Sequence, residues 1–353
     1  MQRARLLAPV GLLAGTLAVT AAQAEVQPEP VRDAGPRIFG GTETQGCEFP
    51  SVAAVKVGSL CTGLLVHPRL VVYAAHCGDD DKFIHFGNSD TLGGKQVATS
   101  KCVVNPDYQD TVGQDWAYCK LTKDVKLPYT PPAMGCELDR VAPGANVMQV
   151  GYGANGGTHL VPTGAGIKRW GESTVADQEP NTLVVGGEGI GACPGDSGGP
   201  ALIQLADGTW RTIGIASVMH SEDCGASNSY VYLPPAVAWI ERDSGIDITP
   251  CHDADGTWNP TASCRGFLQG GDGSTPPGDP LGTWANWCES TPASGFGRAC
   301  GEPYVPDPSE PTAVDDEDHS GDDDSGCGCG ATAEGPWLGL AWLALIAARR
   351  RRD

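Results

Sequence analysis

The stretch Gly195-Asp196-Ser197-Gly198-Gly199-Pro200 places a single serine in a glycine-rich turn. Because glycine adopts backbone conformations that other residues avoid, glycines on both sides allow a tight turn that exposes the serine hydroxyl. A serine becomes a nucleophile when its hydroxyl is exposed, a base lies beside it and donors are ready for the oxyanion. The alternative is a surface turn without chemistry, so the rest of the chain must supply a base and an orienting acid.

Two further stretches supply candidates for the base and the acid. His76 follows the apolar run 70–75, which predicts a buried strand with the histidine at its end. Asp115 opens a second strand-like run, and Asp107 and Asp110 are rival acids. Taken singly, His76 could instead be a histidine of the core, and Asp115 could be an aspartate in a turn. The chain order His, Asp, Ser is, however, that of one known catalytic arrangement.

Several motifs in the chain together resemble the trypsin/chymotrypsin family of serine endopeptidases, over about residues 38–245. The motifs are Ile38-Phe39-Gly40-Gly41, Ala74-Ala75-His76-Cys77, Asp115-Trp116-Ala117, Gly151-Tyr152-Gly153, the 195–200 stretch and Val237-Ala238-Trp239-Ile240. The resemblance implies an all-β fold of two antiparallel six-stranded β-barrels with the site in the cleft between them. Short apolar runs and frequent Gly and Pro turns agree with an all-β chain.

The resemblance also implies a role for each site residue. Ser197 would attack the scissile carbonyl, His76 would act as the general base, and Asp115 would fix the histidine tautomer. Asp115 is preferred over its rivals because its Asp-x-Ala-x-x-x-Leu pattern matches the family strand. The backbone N–H groups of Gly195 and Ser197 would form the oxyanion hole.

Activation by cleavage is a further implication of the resemblance. Arg37-Ile38 resembles an activation site, although Phe39 replaces the more usual valine. Cleavage would free the Ile38 α-amine to pair with Asp196, since a buried carboxylate needs a cationic partner. The alternative is that Arg37 is an exposed loop arginine. The sequence thus predicts a zymogen.

The specificity pocket departs from that of trypsin. Trypsin-like members carry an aspartate six residues before the serine, where this chain has Gly191. The usual Ser-Trp-Gly wall reads Ser217-Val218-Met219, and the facing wall falls near Asn228 or Ser229. A narrowed, uncharged pocket predicts a small or medium apolar residue before the scissile bond, as in elastases, although methionine is flexible.

Fourteen cysteines predict disulfides formed in an oxidising compartment. The resemblance implies the bridges Cys61–Cys77 and Cys193–Cys224. We further infer Cys102–Cys119 on neighbouring strands, which leaves Cys47–Cys136. No Cys-x-x-Cys spacing occurs, so no zinc site is predicted, and neither another metal nor a cofactor is expected.

The first residues have the features of an export signal. Arg3 and Arg5 precede the apolar stretch 6–22, and Ala22-Gln23-Ala24 supplies a small-x-small cleavage site. We predict a signal peptide over 1–24 and a propeptide over 25–37, with an N-terminal membrane anchor as the alternative. The protease domain would then cover 38–250.

The composition changes after residue 250. Residues 251–300 hold few apolar residues but four cysteines and three tryptophans: Cys251, Cys264, Cys288, Cys300, Trp258, Trp284 and Trp287. This predicts a small module held by two disulfides, with three possible pairings. The tryptophans would form either the module's own core or an exposed carbohydrate-binding patch. Residues 301–326, rich in proline and aspartate, predict a disordered acidic linker.

The last segment, 327–353, combines Cys327 and Cys329 with the apolar run 336–348 and an arginine cluster, 349–352. The run is short for a membrane span, which needs about 20 residues. The order of these features resembles the myxobacterial C-terminal sorting tag (MYXO-CTERM). That resemblance implies membrane retention, cleavage near either cysteine by sorting machinery, and lipid-linked display at the cell surface; an uncut membrane anchor is the alternative.

The formal net charge of −20 argues against nucleic acid as a partner. The favoured prediction is therefore an exported serine endopeptidase that acts on proteins or peptides at the cell surface or outside the cell. Two alternatives are a protease-like binding protein without catalysis and an adhesion protein whose Cys/Trp module does the main work.

Overall fold

A computed structural model describes residues 38–157, 160–270, 284, 288–291 and 293–308. The predicted signal peptide (1–24), propeptide (25–37) and sorting segment (327–353) lie outside the described residues, as does most of the predicted linker.

Fifteen strands, three short 3₁₀ helices and one α-helix make up the described fold. The strands are β1 (Thr42–Glu43), β2 (Val52–Val57), β3 (Ser59–His67), β4 (Leu70–Tyr73), β5 (Phe83–Phe86), β6 (Lys95–Val104), β7 (Ala117–Leu121), β8 (Asn146–Gly151), β9 (Gly156–Gly157), β10 (Pro162–Thr163), β11 (Arg169–Gln178), β12 (Thr182–Gly186), β13 (Pro200–Gln204), β14 (Trp210–Met219) and β15 (Ser227–Tyr232). The 3₁₀ helices are Ala75–Cys77, Val112–Gln114 and Gly135–Arg140, and helix α1 is Pro234–Ser244.

The first barrel closes in the order β2-β3-β4-β7-β6-β5 with antiparallel neighbours. Strands β3 and β4 are buried along nearly their whole length because both of their faces are covered, whereas β6 is mostly exposed or half-buried. Val52 and Ala54 of β2 belong to a core cluster shared with the second barrel. Ala53 and Val55, on the opposite face, belong to a cluster that also holds residues from beyond 250. The period-2 alternation of a strand explains this division.

The second barrel contains β8, β11, β12, β15, β14 and β13, closed by pairing of β8 with β11, and β1 adds to β11 at its edge. Helix α1 follows it and begins with two prolines, and Gly245, the residue after the helix, has a left-handed φ of +67° that suits glycine. The predicted all-β fold with two six-stranded barrels is confirmed. Within the described ranges, no helix is long and apolar enough to span a membrane.

We call the segment 251–305 the C-terminal clasp. Its disulfide pairing contradicts two predictions. Cys251 pairs with Cys264, but Cys288 pairs with Cys47 and Cys300 with Cys136. The predicted Cys47–Cys136 bridge is therefore wrong, and so is the prediction that the segment holds two disulfides of its own. The physical reason is burial: the clasp has too few apolar residues for a separate core and packs on the barrels instead.

The burial of Trp284 is further evidence that the clasp packs on the barrels. Trp284 is 1% exposed, donates from Nε1 to Asn88 Oδ1 at 3.2 Å, and lies under the Lys168 ammonium. It therefore belongs to the core of the first barrel and cannot form part of an exposed carbohydrate-binding patch. Trp258 packs edge-on against His252. Trp287 lies outside the described residues. Residues 38–305 fall in one compact unit.

Candidate active site

A cavity of about 840 Å³ opens between the two barrels. The first barrel contributes His76 and Asp115, and the second contributes Gly195, Ser197 and Ser217. The structure thus brings the three predicted catalytic residues into one cavity from positions far apart in the chain.

His76 and Asp115 meet because their strands are neighbours. β4 ends at Tyr73, three residues before His76, and β7 begins at Ala117, two residues after Asp115. The register pairs Tyr73 with Ala117, so the two side chains leave the same end of the sheet. His76 lies in a 3₁₀ helix, and the Cys61–Cys77 bridge ties the next residue to β3.

Asp115 holds the imidazole from a buried position. The aspartate is 2% exposed. Its Oδ2 lies 2.7 Å from His76 Nδ1, and its Oδ1 accepts the His76 backbone N–H at 2.8 Å. The Ser217 hydroxyl donates to Oδ2 at 2.6 Å. Of the three candidate acids, Asp115 is the one that contacts His76, whereas Asp107 and Asp110 are solvent-exposed.

Ser197 sits in the turn that the glycines were expected to make. Gly195 and Gly198 have φ values of +101° and +86°. A Cβ at Gly198 would lie 2.2 Å from the Thr62 carbonyl oxygen, so close approach also requires glycine there. The described residues include no hydrogen bond between the Ser197 hydroxyl and His76. Such bonds are often long in enzymes without substrate.

Thr62 positions the predicted oxyanion hole and was missed in the sequence. Its hydroxyl donates to the Gly195 carbonyl at 2.9 Å and accepts the Tyr152 N–H at 3.1 Å. Its backbone N–H donates to the Ser197 carbonyl at 2.8 Å. Thr62 is fully buried in the apolar strand β3, and its neighbouring sequence carries no signal for these contacts. The N–H groups of Gly195 and Ser197 have no acceptor among the described residues.

Asp196 lies behind the turn in a buried position. Its carboxylate accepts the N–H groups of Gly153 at 2.7 Å and Cys193 at 2.9 Å. Burial raises the pKa of Asp196 to about 6, against the stabilising effect of these bonds. Ile38 is also buried, and Phe39 forms a β-bridge with Gly191. Arg37 lies outside the described residues.

Of the five predicted pocket residues, three line the cavity and two do not. Ser217, Met219 and Asn228 line it. Gly191 is buried behind this wall, and Ser229 is turned toward His220, whose Nε2 lies 2.6 Å from its hydroxyl. Met219 packs against the Cys193–Cys224 disulfide.

Comparison with known proteins now decides the family. Residues 38–240 match the Trypsin family model. The chain belongs to the trypsin family. A trypsin-like protease of Streptomyces glaucescens is 32% identical over 220 residues, which cover 57% of this chain and 80% of that protein. The suppressor of tumorigenicity 14 protein homolog of Bos taurus is 27% identical over 247 residues, 60% of this chain but 28% of that protein.

This trypsin-family chain is thus a serine endopeptidase, and three predicted bridges are confirmed: Cys61–Cys77, Cys102–Cys119 and Cys193–Cys224. Six disulfides join described residues in all. Such bridges form outside the reducing cytosol, as is typical of secreted members of the family.

Among the residues that the structure describes, two groupings place potential metal ligands together. They are Cys61, His76 and Cys77, and Glu137, His252 and Cys300. Every cysteine among them is in a disulfide, whereas the thiolate is the form that binds metal. That leaves one possible ligand in the first grouping and two in the second, which are too few for a metal site built from protein side chains.

Proposed function

We propose that His76, Asp115 and Ser197 form the catalytic triad of this serine endopeptidase. The Ser197 hydroxyl attacks the scissile carbonyl while His76 Nε2 accepts its proton. The resulting imidazolium donates from Nδ1 to Asp115, which stays ionised. The observation that carries this proposal is the 2.7 Å contact between His76 Nδ1 and Asp115 Oδ2, at a cavity shared with Ser197.

The N–H groups of Gly195 and Ser197 donate to the oxyanion of the tetrahedral intermediate. One such donor is worth about 10²–10³ in kcat. Collapse of the intermediate breaks the C–N bond, and His76 returns the proton to the leaving amine. Water then repeats the sequence on the acyl-enzyme and releases the second product, which restores the Ser197 hydroxyl.

Processing of the precursor is the second part of the proposal. Cleavage at Arg37-Ile38 frees an amine that pairs with Asp196, which supports the chain around the oxyanion hole. The burial of both Ile38 and Asp196 favours this pairing. A signal peptide, 1–24, exports the chain, and the segment 327–353 retains it for sorting through Cys327 or Cys329 to the cell surface.

Substrate preference is the third part. With Gly191 in place of an aspartate and Met219 in the wall, the pocket takes a small or medium apolar side chain before the scissile bond. Proteins and peptides are the substrates, and no cofactor or metal takes part in the proposed steps.

A fluorophosphonate probe tests the triad, because it labels only an activated serine. We expect the matured protein to be labelled, and the variants Ser197→Ala and His76→Ala to be unlabelled with their melting temperature kept. Labelling of Ser197→Ala would overturn the assignment. Arg37→Gln tests maturation separately: it should leave an uncleaved, unlabelled chain, and full activity of that chain would refute the zymogen.

A further inference from the structure

The Cys136–Cys300 bridge is the most open to solvent of the disulfides that join described residues. Cys136 is exposed and Cys300 is half-buried. Each of the other five bridges joins two buried cysteines, or one buried cysteine and one half-buried cysteine. Because a thiol must reach a sulfur atom to exchange with it, access singles out this bridge, and Cys136 is its accessible side.

A histidine that the catalytic proposal does not use lies beside the less accessible sulfur. His252 is 8% exposed, and its Nε2 lies 3.6 Å from Cys300 Sγ. Burial and the Arg211 guanidinium lower the pKa of His252 to about 4, so its ring is neutral near pH 7. A neutral ring that carries its proton on Nε2 donates to a Cys300 thiolate. That hydrogen bond makes Cys300 the better leaving group of the bridge.

We infer that the Cys136–Cys300 bridge is a site of thiol–disulfide exchange with an external dithiol. One thiol of the reductant loses its proton to solvent, and its sulfur attacks Cys136 Sγ. The S–S bond breaks, its electron pair stays on Cys300 Sγ, and His252 donates to that thiolate. The second thiol of the reductant then attacks the sulfur bound to Cys136 and frees it. Protonation leaves two cysteine thiols and a reductant that has been oxidised to a disulfide.

The exchange releases one of the two ties between the clasp and the barrels. Cys136 lies in the 3₁₀ helix Gly135–Arg140, in the connection between the barrels, so its bridge holds the end of the clasp to that connection. The other tie, Cys47–Cys288, persists because both of its cysteines are fully buried. The clasp therefore loosens without leaving the barrels. This inference does not depend on the proposed triad.

Limited reduction of the folded, full-length Ser197→Ala chain tests which bridge opens first. Free thiols are blocked, dithiothreitol is added as the dithiol, and peptide mass spectrometry follows alkylation of the released cysteines over time. We expect Cys136 and Cys300 to be alkylated about tenfold faster than the cysteines of any other described bridge. Reduced glutathione, a monothiol, should leave its adduct on Cys136 when Cys300 is alkylated at once. Another bridge that opens first, or an adduct on Cys300, would overturn the inference.

Two variants at position 252 test the leaving-group assignment. His252→Leu should slow the opening of this bridge about fivefold, the effect of one hydrogen bond on a rate. His252→Gln keeps an N–H donor near the position of Nε2 and should restore most of the rate. His67→Leu is the matched control, because that histidine lies in the first barrel, where its Nδ1 accepts the Arg69 N–H. Equal rates in the parent and a folded His252→Leu chain would contradict the role of His252.

The melting temperature reports the release of the clasp. Once Cys136 and Cys300 are reduced and alkylated, it should fall by about 5–10 °C, since one long loop is no longer closed. The order in which the bridges open decides the inference even if no variant at position 252 folds. A selectively reduced chain that melts like the parent would overturn the release of the clasp.

Discussion

The buried carboxylate of Asp115 depends on three donors, and one of them lies outside the triad. The Ser217 hydroxyl bonds the same Oδ2 that faces the imidazole, at 2.6 Å. It therefore stabilises the ionised carboxylate and limits its rotation. Because Ser217 also lines the substrate cavity, substrate binding and carboxylate orientation share one residue.

Ser217→Ala should lower kcat without unfolding the protease. A net hydrogen bond is worth about 1 kcal/mol, which corresponds to roughly a fivefold loss in kcat. The measurement is kcat on titrated enzyme, with Ser100→Ala as a control, since that hydroxyl donates to the Lys120 carbonyl at the surface. An unchanged kcat would show that the two bonds from His76 suffice to hold Asp115.

Asp196 makes the stability of the uncleaved chain dependent on pH. Its folded-state pKa of about 6 lies above the value of 3.8 for an unfolded aspartate. The folded chain therefore binds the proton more tightly, and its stability falls as pH rises from about 4 to about 6. The full loss, from well below pH 4 to well above pH 6, is about 3 kcal/mol, and the lowering effect of the nearby Arg169 guanidinium is already included in that pKa.

Urea unfolding at pH 4 and pH 6.5 measures this pH-dependent loss of stability in the uncleaved Arg37→Gln, Ser197→Ala chain. Comparison with Asp196→Asn in the same background removes the contribution of the other titrating groups to the pH dependence of the free energy of unfolding. We expect the difference between the two proteins to shift by about 2 kcal/mol between these two pH values, and by less in a matured chain whose Ile38 amine is free. Equal pH dependence with and without Asp196 would contradict the raised pKa of this buried carboxyl group.

Residues with distinctive local sequence were predictable and those defined by long-range packing were not. The glycines around Ser197 and the strand before His76 could be read directly. Thr62 acts through a hydrogen bond to backbone 133 residues away, and Asn228, which the sequence did indicate for the pocket wall, is held by bonds to backbone 36 residues away. Nothing in their neighbouring sequence marks those contacts, so only the folded register of the strands reveals them.

At the scale of elements, local pairing was predictable and distant pairing was not. Cys102 and Cys119 lie opposite each other in β6 and β7, and Cys61 and Cys77 are 16 residues apart. Cys47 pairs 241 residues away, with Cys288. Elimination among the protease cysteines failed because it assumed that the protease domain and the clasp are separate.

The long bridge should therefore contribute more stability than the short one. In the chain-entropy account, a loop of about 100 residues gives about 4.7 kcal/mol and one of about 15 gives about 3 kcal/mol. The other bridges shorten the Cys47–Cys288 loop, so we compare it with the loop of about 100 residues. Cys251 and Cys264 are 13 residues apart, so their loop compares with the one of about 15 residues. Removing the long bridge should cost about 1–2 kcal/mol more.

Chemical denaturation of two paired variants in a Ser197→Ala background measures the difference. One replaces Cys47 and Cys288 by alanine, and the other replaces Cys251 and Cys264. Replacing both partners of a bridge leaves neither of its cysteines free to form another disulfide. Equal losses, or a larger loss for the short loop, would show that packing around the sulfurs outweighs loop closure.

At the scale of the whole molecule, the clasp joins the two barrels and the connection between them. Leu268 donates its N–H to the Tyr129 carbonyl at 3.0 Å and accepts the Trp210 N–H at 3.1 Å. Arg211, which is buried and paired with Glu137, lies 4.5 Å from the Phe267 ring. Trp284 and Cys288 tie a later part of the clasp to Asn88 and Cys47, which flank strands of the first barrel.

Removal of the clasp should therefore unfold the protease domain, although the family match ends at residue 240. Full burial of an apolar side chain stabilises by about 1.5–3 kcal/mol, so Phe267, Leu268 and Trp284 contribute about 5–9 kcal/mol. That is comparable with the whole stability of a typical protein, about 5–15 kcal/mol. A Ser197→Ala chain ending at residue 305 should melt as the full chain does, and one ending at 250 should not fold.

A third chain separates lost packing from lost bridges. It ends at residue 305 and carries serine at Cys47, Cys136, Cys288 and Cys300, so the clasp remains without its two ties to the barrels. We expect it to fold with a lower melting temperature, because the buried side chains stay while loop closure is lost. Near-ultraviolet circular dichroism and thermal melts compare the three. A chain ending at 250 that melts with the full chain's cooperativity and temperature would mean that the barrels need no clasp, and that Trp284 and Phe267 only cover a surface that is stable without them.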